Sequence, residues 1–258
     1  MCELLGITSN RPIDATPILD TFYQHSKDHP HGWGLAVFFR GGVSVEKEPE
    51  RAIDSRYLRS RLNRGVECGA LFAHIRYATV GRIESANCHP FVWDDRSGRT
   101  WTLVHNGTLF ESGPTSAFLR RQEGSTDSER LLLYIVSRMD NAQTEYGASP
   151  DAERRFHIMD DIIQEMAPGN KLNLMVCDGK YQYFHTNCTG TLYQWQDGEK
   201  TIFATAPTFF HEGWVPAERN RLLIYQQGDL VWKGSPHNWD FREEEHDMSS
   251  LYGAFAEL

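Results

Sequence analysis

The chain has 258 residues, of which 40% are hydrophobic and 24% charged, a composition typical of a folded globular protein rather than a disordered or fibrous one. Its formal net charge of -9 excludes a wide basic field for phosphate backbones, so we expect no nucleic-acid partner. No apolar run approaches the roughly 20 residues that cross a bilayer, and no signal-peptide pattern opens the chain, so we expect a cytoplasmic protein without a membrane partner.

The first half of the chain is predicted to alternate strands with short helices. After Cys2 the run "ELLGIT" is apolar and strand-like, and the periodicity of later segments predicts further elements in order. These are a helix over 15–25, a hairpin over 32–49 around Gly41-Gly42, a helix near 53–63, a strand over 69–77, and strand character over 100–110 around Asn106-Gly107.

The second half is predicted to contain two long helices followed by strands. Thr126 and Glu129 form a capping-box pattern before one apolar helix, and Pro168-Gly169 ends a second helix over 151–169. From Lys171 to Lys233, five apolar runs separated by Asp-Gly and Gln-Gly turns predict antiparallel strands. Strands, two central helices and further strands indicate an α+β fold in which sheets and helices form separate layers. We expect a terminal extension after this region, with a helix near its end.

Cys2 stands apart among five scattered cysteines that form no C-x-x-C pair. Removal of the preceding methionine would leave a thiol and an α-amino group on one residue. Because an α-amino group titrates at about 7.7 to 8.0, it could act as the base for that thiol. From this position alone, a small buried residue in a strand is the more ordinary interpretation. The histidine spacings match no usual zinc pattern, so no metal site is predicted.

Three further positions carry both a chemical and a structural interpretation. Arg76 ends a predicted strand and could bind a carboxylate through its planar fork, or form a structural ion pair. Asn106-Gly107 could supply two donors to an oxyanion, or make a hairpin turn. Asp127, in the first turn of a predicted helix, could bind a substrate ammonium or stabilise the helix dipole.

Taken in order, several motifs resemble those of the class II glutamine amidotransferases, whose glutaminase domain is an N-terminal-nucleophile hydrolase. The motifs are Cys2, "HIRYATVG" (74–81), "NCHPF" (87–91), "HNGTL" (105–109) and "TDSE" (126–129). The opening "MCELLGIT", with "HGWGLAVF" (31–38), "LNLMVCDG" (172–179) and "FATAP" (203–207), is similar to the stand-alone YafJ-like members. The resemblance runs to about Lys233 and implies a glutaminase domain over 1–235, an extension over 236–258, and a four-layer αββα sandwich.

The resemblance also implies a reaction and a set of site residues. Cys2 Sγ attacks the side-chain amide of glutamine, its α-amino group moves the proton, and Asn106 with the Gly107 N–H holds the oxyanion. Ammonia leaves, and water then releases glutamate from a γ-glutamyl thioester. The implied substrate-binding residues are Arg76 and Thr79 for the α-carboxylate, Asp127 for the α-ammonium, and His89 in support. No cofactor or metal is implied.

Two departures from the family pattern keep alternatives open. His31 stands where related members usually carry Asp in Asp-Gly-Trp-Gly, so it could tune that loop with pH or accompany another substrate. The 258 residues encode no synthase domain, so a separate synthase accepts the ammonia or the protein simply hydrolyses an amide. A γ-glutamyl compound or another linear amide is the alternative substrate, and a non-catalytic glutamine-sensing or partner-binding subunit is the third hypothesis. Association of several copies is also open.

Overall fold

Two antiparallel sheets packed face to face form the centre of the computed structural model, which describes residues 2–79, 81–207 and 212–243. The seven-stranded sheet contains, in spatial order, β11 (Val215–Pro216), β9 (Tyr193–Gln196), β10 (Lys200–Ala204), β1 (Glu3–Asp14), β4 (Glu67–Ile75), β2 (Trp33–Phe39) and β3 (Gly42–Glu48). The six-stranded sheet contains β13 (Asp229–Lys233), β12 (Leu223–Gln226), β8 (Gln182–His185), β7 (Leu174–Cys177), β6 (Thr100–His105) and β5 (Phe91–Asp94).

Within the described ranges, four α-helices cover the outer faces of the two sheets. They are α1 (Thr16–Gln24), α2 (Arg56–Asn63), α3 (Asp127–Tyr146) and α4 (Ala152–Met166), and three short 3₁₀ helices lie at His25–Lys27, Ser85–Asn87 and Gly113–Phe118. Alternation along β1 explains the layering, because Leu5 and Ile7 pack with α1 and α2 while Leu4 packs between the sheets. Helices α3 and α4 bury their apolar faces on the six-stranded sheet. The predicted α+β, four-layer αββα sandwich is confirmed.

The position of β1 decides where Cys2 lies. β1 is a central strand that pairs with β4 on one side and β10 on the other. Its first residue, Glu3, is opposite Ile75, and Thr205 N–H donates to the Leu4 carbonyl at 3.1 Å just beyond β10. Cys2 therefore lies at the end of a central strand, between the segment that follows β4 and the segment that follows β10.

The hairpin interpretation of Asn106-Gly107 is wrong. β6 ends at His105, and the next backbone pairing is the isolated bridge between Thr108 and Lys171. Gly107 lies against Lys171, where a Cβ atom would be 1.9 Å from the Lys171 carbonyl oxygen. A close approach of two backbones, rather than a tight turn, requires glycine here.

Other differences from the predicted elements are smaller. The five predicted C-terminal runs form strands, but they divide between the sheets, with β9 and β10 in the sheet that contains β1 and the others in the sheet that contains β6. Thr126 caps α3 as expected, accepting from Glu129 N–H at 3.3 Å, whereas the Glu129 carboxylate accepts from the main chain of Glu123 and Gly124. The predicted helix near the end of the chain lies outside the described residues.

No helix in the described ranges is long and apolar enough to cross a membrane. The cytoplasmic location stays a prediction, as does the domain boundary at residue 235.

Candidate active site

The Cys2 thiol is half-buried against the main chain of Tyr77. Its Sγ accepts from Tyr77 N–H at 3.3 Å and lies 3.4 Å from the Tyr77 carbonyl oxygen. Burial raises the pKa of the thiol, while the Tyr77 hydrogen bond and the nearby positive charge of Arg76 lower it and the charge of Asp127 raises it. Since the net shift of the pKa is upward, this thiol needs a base beside it to become a nucleophile.

Arg76 is buried at the end of β4 and holds the loop that follows. Its Nη1 donates to the Arg82 carbonyl at 2.9 Å and its Nη2 donates to the Gly81 carbonyl at 3.2 Å. Burial lowers the pKa of the guanidinium, and the nearby thiols of Cys88 and Cys2 act in the opposite direction. Thr79 lies half-buried in the same loop. Arg76 and Thr79 therefore lie in the same segment as Tyr77, whose main chain contacts Cys2.

His31 closes this loop from the other side. Its Nδ1 accepts from Ala78 N–H at 2.9 Å, and His31 N–H donates to the Arg76 carbonyl at 3.1 Å. Burial and the charge of Arg76 lower the pKa of the imidazole, which agrees with its role as an acceptor in the neutral form. An imidazole nitrogen thus accepts a backbone N–H at the position where the family pattern described above has Asp.

Residues 106–108, hereafter the 106–108 loop, follow β6 and are held by their own backbone. Asn106 N–H donates to the Asn173 carbonyl at 2.8 Å, and Thr108 and Lys171 exchange two hydrogen bonds of 3.1 Å. Within the described residues, neither the Asn106 side-chain amide nor the Gly107 N–H has a hydrogen-bond partner. Two adjacent free donors on a fixed loop are the arrangement that an oxyanion requires.

The start of α3 fixes the far side of this loop. Asp127 Oδ2 accepts from Leu109 N–H at 2.7 Å and its Oδ1 accepts from Ser128 N–H at 2.9 Å. His105 Nε2 donates to the Lys171 carbonyl at 3.1 Å, which leaves Nδ1 to accept from the Ser128 hydroxyl at 3.0 Å. The buried Asp127 carboxylate therefore orders the backbone after the loop as well as acting electrostatically on Cys2.

His89 packs against a second buried histidine, His74, which the sequence analysis did not assign to the site. Their ring centroids are 4.2 Å apart, and within the described residues no ring nitrogen of either has a hydrogen-bond partner. Burial holds the pKa of both well below the usual range, and the positive charge of Arg76 adds to the effect. Both rings are therefore neutral beside Arg76.

The sequence analysis also missed Tyr77 and Lys171. Tyr77 contributes only its main chain to Cys2, so no residue-type signal could have revealed it. Lys171 is buried although lysine is usually exposed, and its position just before the apolar run 172–177 was the one available signal. Among the described residues, no group of three His, Cys, Asp or Glu side chains is arranged to hold a metal ion.

Comparison with known proteins identifies the family. A sequence profile of the class II glutamine amidotransferases matches residues 1–196 of the 258. The chain belongs to the class II glutamine amidotransferases.

Individual members of the class II glutamine amidotransferases agree with this assignment. YafJ of Escherichia coli strain K12 is 29% identical over 198 residues, which cover 72% of this chain and 74% of that protein. The crystal structure of a predicted glutamine amidotransferase from Pseudomonas aeruginosa PA01 superposes with a TM-score of 0.64, at 20% identity, over 90% of this chain and all of that one. A glutamine phosphoribosylpyrophosphate amidotransferase from B. subtilis gives a TM-score of 0.66 at 17% identity, over 89% of this chain and 48% of that chain. The two structures show a shared fold.

Proposed function

We propose that this chain hydrolyses the side-chain amide of glutamine and releases ammonia through a γ-glutamyl thioester on Cys2. The observation that carries the proposal is the electrostatic setting of the thiol. The opposite charges of Arg76 and Asp127 both act on Cys2, so a positive and a negative group lie near one nucleophile. A free amino acid is a zwitterion whose two ends match these two charges.

In the proposed first half-reaction the raised pKa of the thiol makes the base essential. Once Met1 has been removed, the neutral α-amino group of Cys2 takes the thiol proton, and Sγ forms a bond to the amide carbon. The Asn106 amide and the Gly107 N–H donate to the oxygen as it becomes an oxyanion. The tetrahedral intermediate then collapses, the C–N bond breaks, and the α-ammonium returns the proton so that ammonia leaves.

In the proposed second half-reaction water takes the place of the amine. The α-amino group accepts a proton from the water as its oxygen attacks the thioester carbon, and the same two donors hold the second oxyanion. Breakage of the C–S bond releases glutamate and restores the protonated thiol. Neither half-reaction, as proposed, uses a cofactor.

For substrate recognition we propose that Arg76 and Thr79 bind the α-carboxylate and Asp127 the α-ammonium, with His89 supporting Arg76. The guanidinium is already held by two main-chain carbonyls, so it does not have to be ordered when the substrate binds. Asp127 is likewise fixed by two main-chain N–H groups. Pre-ordered charges at both ends favour an unmodified amino-acid backbone.

We further propose that a separate synthase accepts the ammonia in the cytoplasm. The B. subtilis phosphoribosylpyrophosphate amidotransferase is matched over only 48% of its chain, so about half of that protein has no counterpart here. Hydrolysis without a partner, with a γ-glutamyl compound or another linear amide as the substrate, is the alternative outcome.

The test is the release of glutamate and ammonia by the purified protein, with glutamine compared against a panel of γ-glutamyl amides. Cys2→Ala should abolish the release of glutamate and ammonia. Cys2→Ser should retain a small fraction of the activity because the hydroxyl is a weaker nucleophile than the thiol. Cys68→Ala is the matched control, since Cys68 is a buried cysteine on β4 near the other end of β1. Full activity of Cys2→Ala would overturn the proposal, and preference for a longer amide would replace glutamine as the substrate.

A further inference from the structure

The C-terminal strap, residues 236–243, packs behind the 106–108 loop. Phe241 N–H donates to the Asn187 carbonyl at 2.8 Å, and Phe241 forms a parallel bridge with Cys188. The Phe241 ring stacks on Phe110, with centroids 5.6 Å apart and planes within 15°. Phe110 is only three residues beyond Gly107, so the strap contacts the chain that leaves the loop.

A second connection reaches the loop through Lys171. Glu243 Oε1 accepts from Lys171 Nζ at 2.5 Å, and the Lys171 side chain is 2% exposed. The main chain of Lys171 exchanges two hydrogen bonds with Thr108, and its carbonyl oxygen makes the close contact at Gly107. One residue thus carries the 106–108 loop on its backbone and an ion pair to the strap on its side chain.

Two hydrogen-bonded histidines, His237 and His185, connect the strap to Leu172, the residue after Lys171. Trp239 N–H donates to His237 Nδ1 at 3.2 Å, so the His237 proton is on Nε2 and is donated to His185 Nε2 at 3.0 Å. His185 Nδ1 then donates to the Leu172 carbonyl at 2.7 Å. Every hydrogen in this chain of hydrogen bonds has one acceptor, which fixes the strap relative to Lys171 and Leu172.

Buried Asn187 joins the same parts from below. Its side chain donates to the carbonyls of Asn170 at 2.8 Å and Trp239 at 3.2 Å, and accepts from Leu172 N–H at 2.9 Å. The strap and residues 170–172 therefore form one hydrogen-bonded unit, and the 106–108 loop is paired to that unit.

We propose that Phe241 and Glu243 are positioning residues that hold the 106–108 loop in the geometry needed for its two donors. The role of Asn106 and Gly107 in this inference rests on the proposed function. The attachment of the strap to the loop, hereafter the clamp, rests on the contacts of Phe110 and Lys171 described above. Donor position matters because a hydrogen bond weakens steeply away from its preferred length and angle. Loss of the clamp lowers stabilisation of the oxyanion, which exists only after attack, and leaves binding of the glutamine backbone intact.

The experiment compares Glu243→Ala and Phe241→Ala, each made in the full-length chain, with the wild-type protein. Two quantities are measured, the kinetics of glutamine hydrolysis and amide hydrogen exchange. We expect kcat for glutamine hydrolysis to fall about tenfold with KM changed less than about twofold, a part of the 10²–10³-fold loss typical of a missing oxyanion donor. Hydrogen exchange at the Asn106 and Thr108 amides should become about tenfold faster. Phe241→Leu, which keeps an apolar side chain, is the milder variant if Phe241→Ala fails to fold, and should show the same changes to a smaller extent.

Glu199→Ala is the matched control. The Glu199 carboxylate also forms a 2.5 Å ion pair, with Arg11, and its side chain is 48% exposed against 41% for Glu243. It lies in the turn between β9 and β10, and its removal should leave kcat and the exchange of Asn106 and Thr108 unchanged.

A double variant separates positioning from general destabilisation. In an Asn106→Ala background one of the two donors is gone, so the further effect of Glu243→Ala on kcat should shrink to about threefold or less. An undiminished tenfold effect would overturn the positioning role.

The two readouts also separate the two proposals. Unchanged exchange and kcat in both strap variants would overturn the clamp even if the wild-type protein hydrolyses glutamine. Faster exchange in the strap variants, alongside a wild type that shows no glutamine hydrolysis, would retain the clamp on the loop and overturn the proposed function.

Discussion

The two ends of β1 differ in whether the charged side chains near them are buried or exposed. At the Cys2 end, Arg76 and Asp127 are buried and bonded to main-chain groups. At the other end, roughly 30 Å away along the strand, Arg11 and Glu199 form an exposed ion pair beside an open cavity of about 630 Å³. The lining of that cavity includes Thr8, Phe38 and Gln182.

The large cavity therefore lies away from the proposed catalytic site at Cys2. Burial of charged and unpartnered polar groups costs free energy, and a fold that retains them gains something other than stability. The far end keeps its charges in water at little cost in free energy, because every Arg, Lys and Glu side chain that lines the cavity is exposed.

Gly107→Ala should produce the largest loss. Its Cβ would lie 1.9 Å from the Lys171 carbonyl oxygen and 2.2 Å from His105 Nε2, so the 106–108 loop must move. We expect glutamine hydrolysis to fall by about 10² or more, in line with loss of an oxyanion donor.

Gly98→Ala is the matched control for this steric effect. Gly98 has a φ of 79°, and no atom lies within 4 Å of the position that a Cβ would take, so only backbone strain of about 1–2 kcal/mol should result. Unchanged kcat in Gly107→Ala would contradict the role of this loop.

Arg76→Lys should raise KM for glutamine by about 10-fold to 100-fold. An ammonium cannot reproduce the planar fork that donates to Gly81 and Arg82, and a hydrogen bond to a charged group is worth about 1.5–3 kcal/mol. Steady-state kinetics measure the change. Arg11→Lys at the far end, where the guanidinium is exposed, should leave KM within about twofold, and equal effects in the two variants would contradict substrate recognition at Arg76.

Acid should destabilise the protein through the buried histidines of the Cys2 end and of β8. Burial lowers the pKa of His74, His89 and His105, and it lowers the pKa of His185 to about 3. Between the folded pKa and the ordinary value of about 6.5, the unfolded chain binds more protons. Stability is therefore complete above about pH 6.5 and decreases as the pH falls, by about 1.4 kcal/mol per pH unit for each such histidine.

Urea unfolding between pH 4 and pH 7 measures this slope. His185→Gln should reduce it by one histidine's share, whereas His157→Gln, which alters an exposed position on α4, should not. A stability that does not change over this range would show that these rings are not neutral and buried as described.

His31→Ala should have the smallest effect, a loss of about 1 kcal/mol or a few-fold in activity. It removes the acceptor for Ala78 N–H and loosens the loop that carries Arg76 and Thr79. His31→Asp keeps an acceptor and should restore activity. Because the imidazole accepts only when neutral, and its pKa is lowered, wild-type activity should decline on the acid side of pH 6.5, and the Asp variant should lack that component. Identical pH profiles for the wild type and His31→Asp would contradict a role for the neutral His31 imidazole as the acceptor.

Local sequence signals predicted the helices and strands better than they predicted which segments pair with one another. Thr126 and the apolar spacing after it predicted α3, and Gly41-Gly42 predicted the hairpin, because both depend on neighbours within a few residues. The hairpin alternative at Asn106-Gly107 is wrong because the segment pairs with Lys171, more than sixty residues away. The division of the C-terminal strands between two sheets is equally non-local.

The site residues illustrate the same limit. The ordered motifs indicated Cys2, Arg76, Asn106 and Asp127, since their chemistry is carried by side-chain type. The contact of Tyr77 with Cys2 is a backbone contact, and the strap reaches the 106–108 loop through Glu243 and Phe241, so neither leaves a local pattern. Expected roles came from residue types, and positions came from tertiary packing.

The identity of the N-terminal residue and of the labelled cysteine tests the central claim most directly. Intact mass and peptide mapping of the purified protein, before and after treatment with an electrophilic glutamine analogue, measure both. We predict that Met1 is absent and that one adduct forms, on Cys2, while the buried thiols of Cys68, Cys88, Cys177 and Cys188 stay unmodified. Retained Met1, or an adduct on any other cysteine with Cys2 unlabelled, would contradict the account.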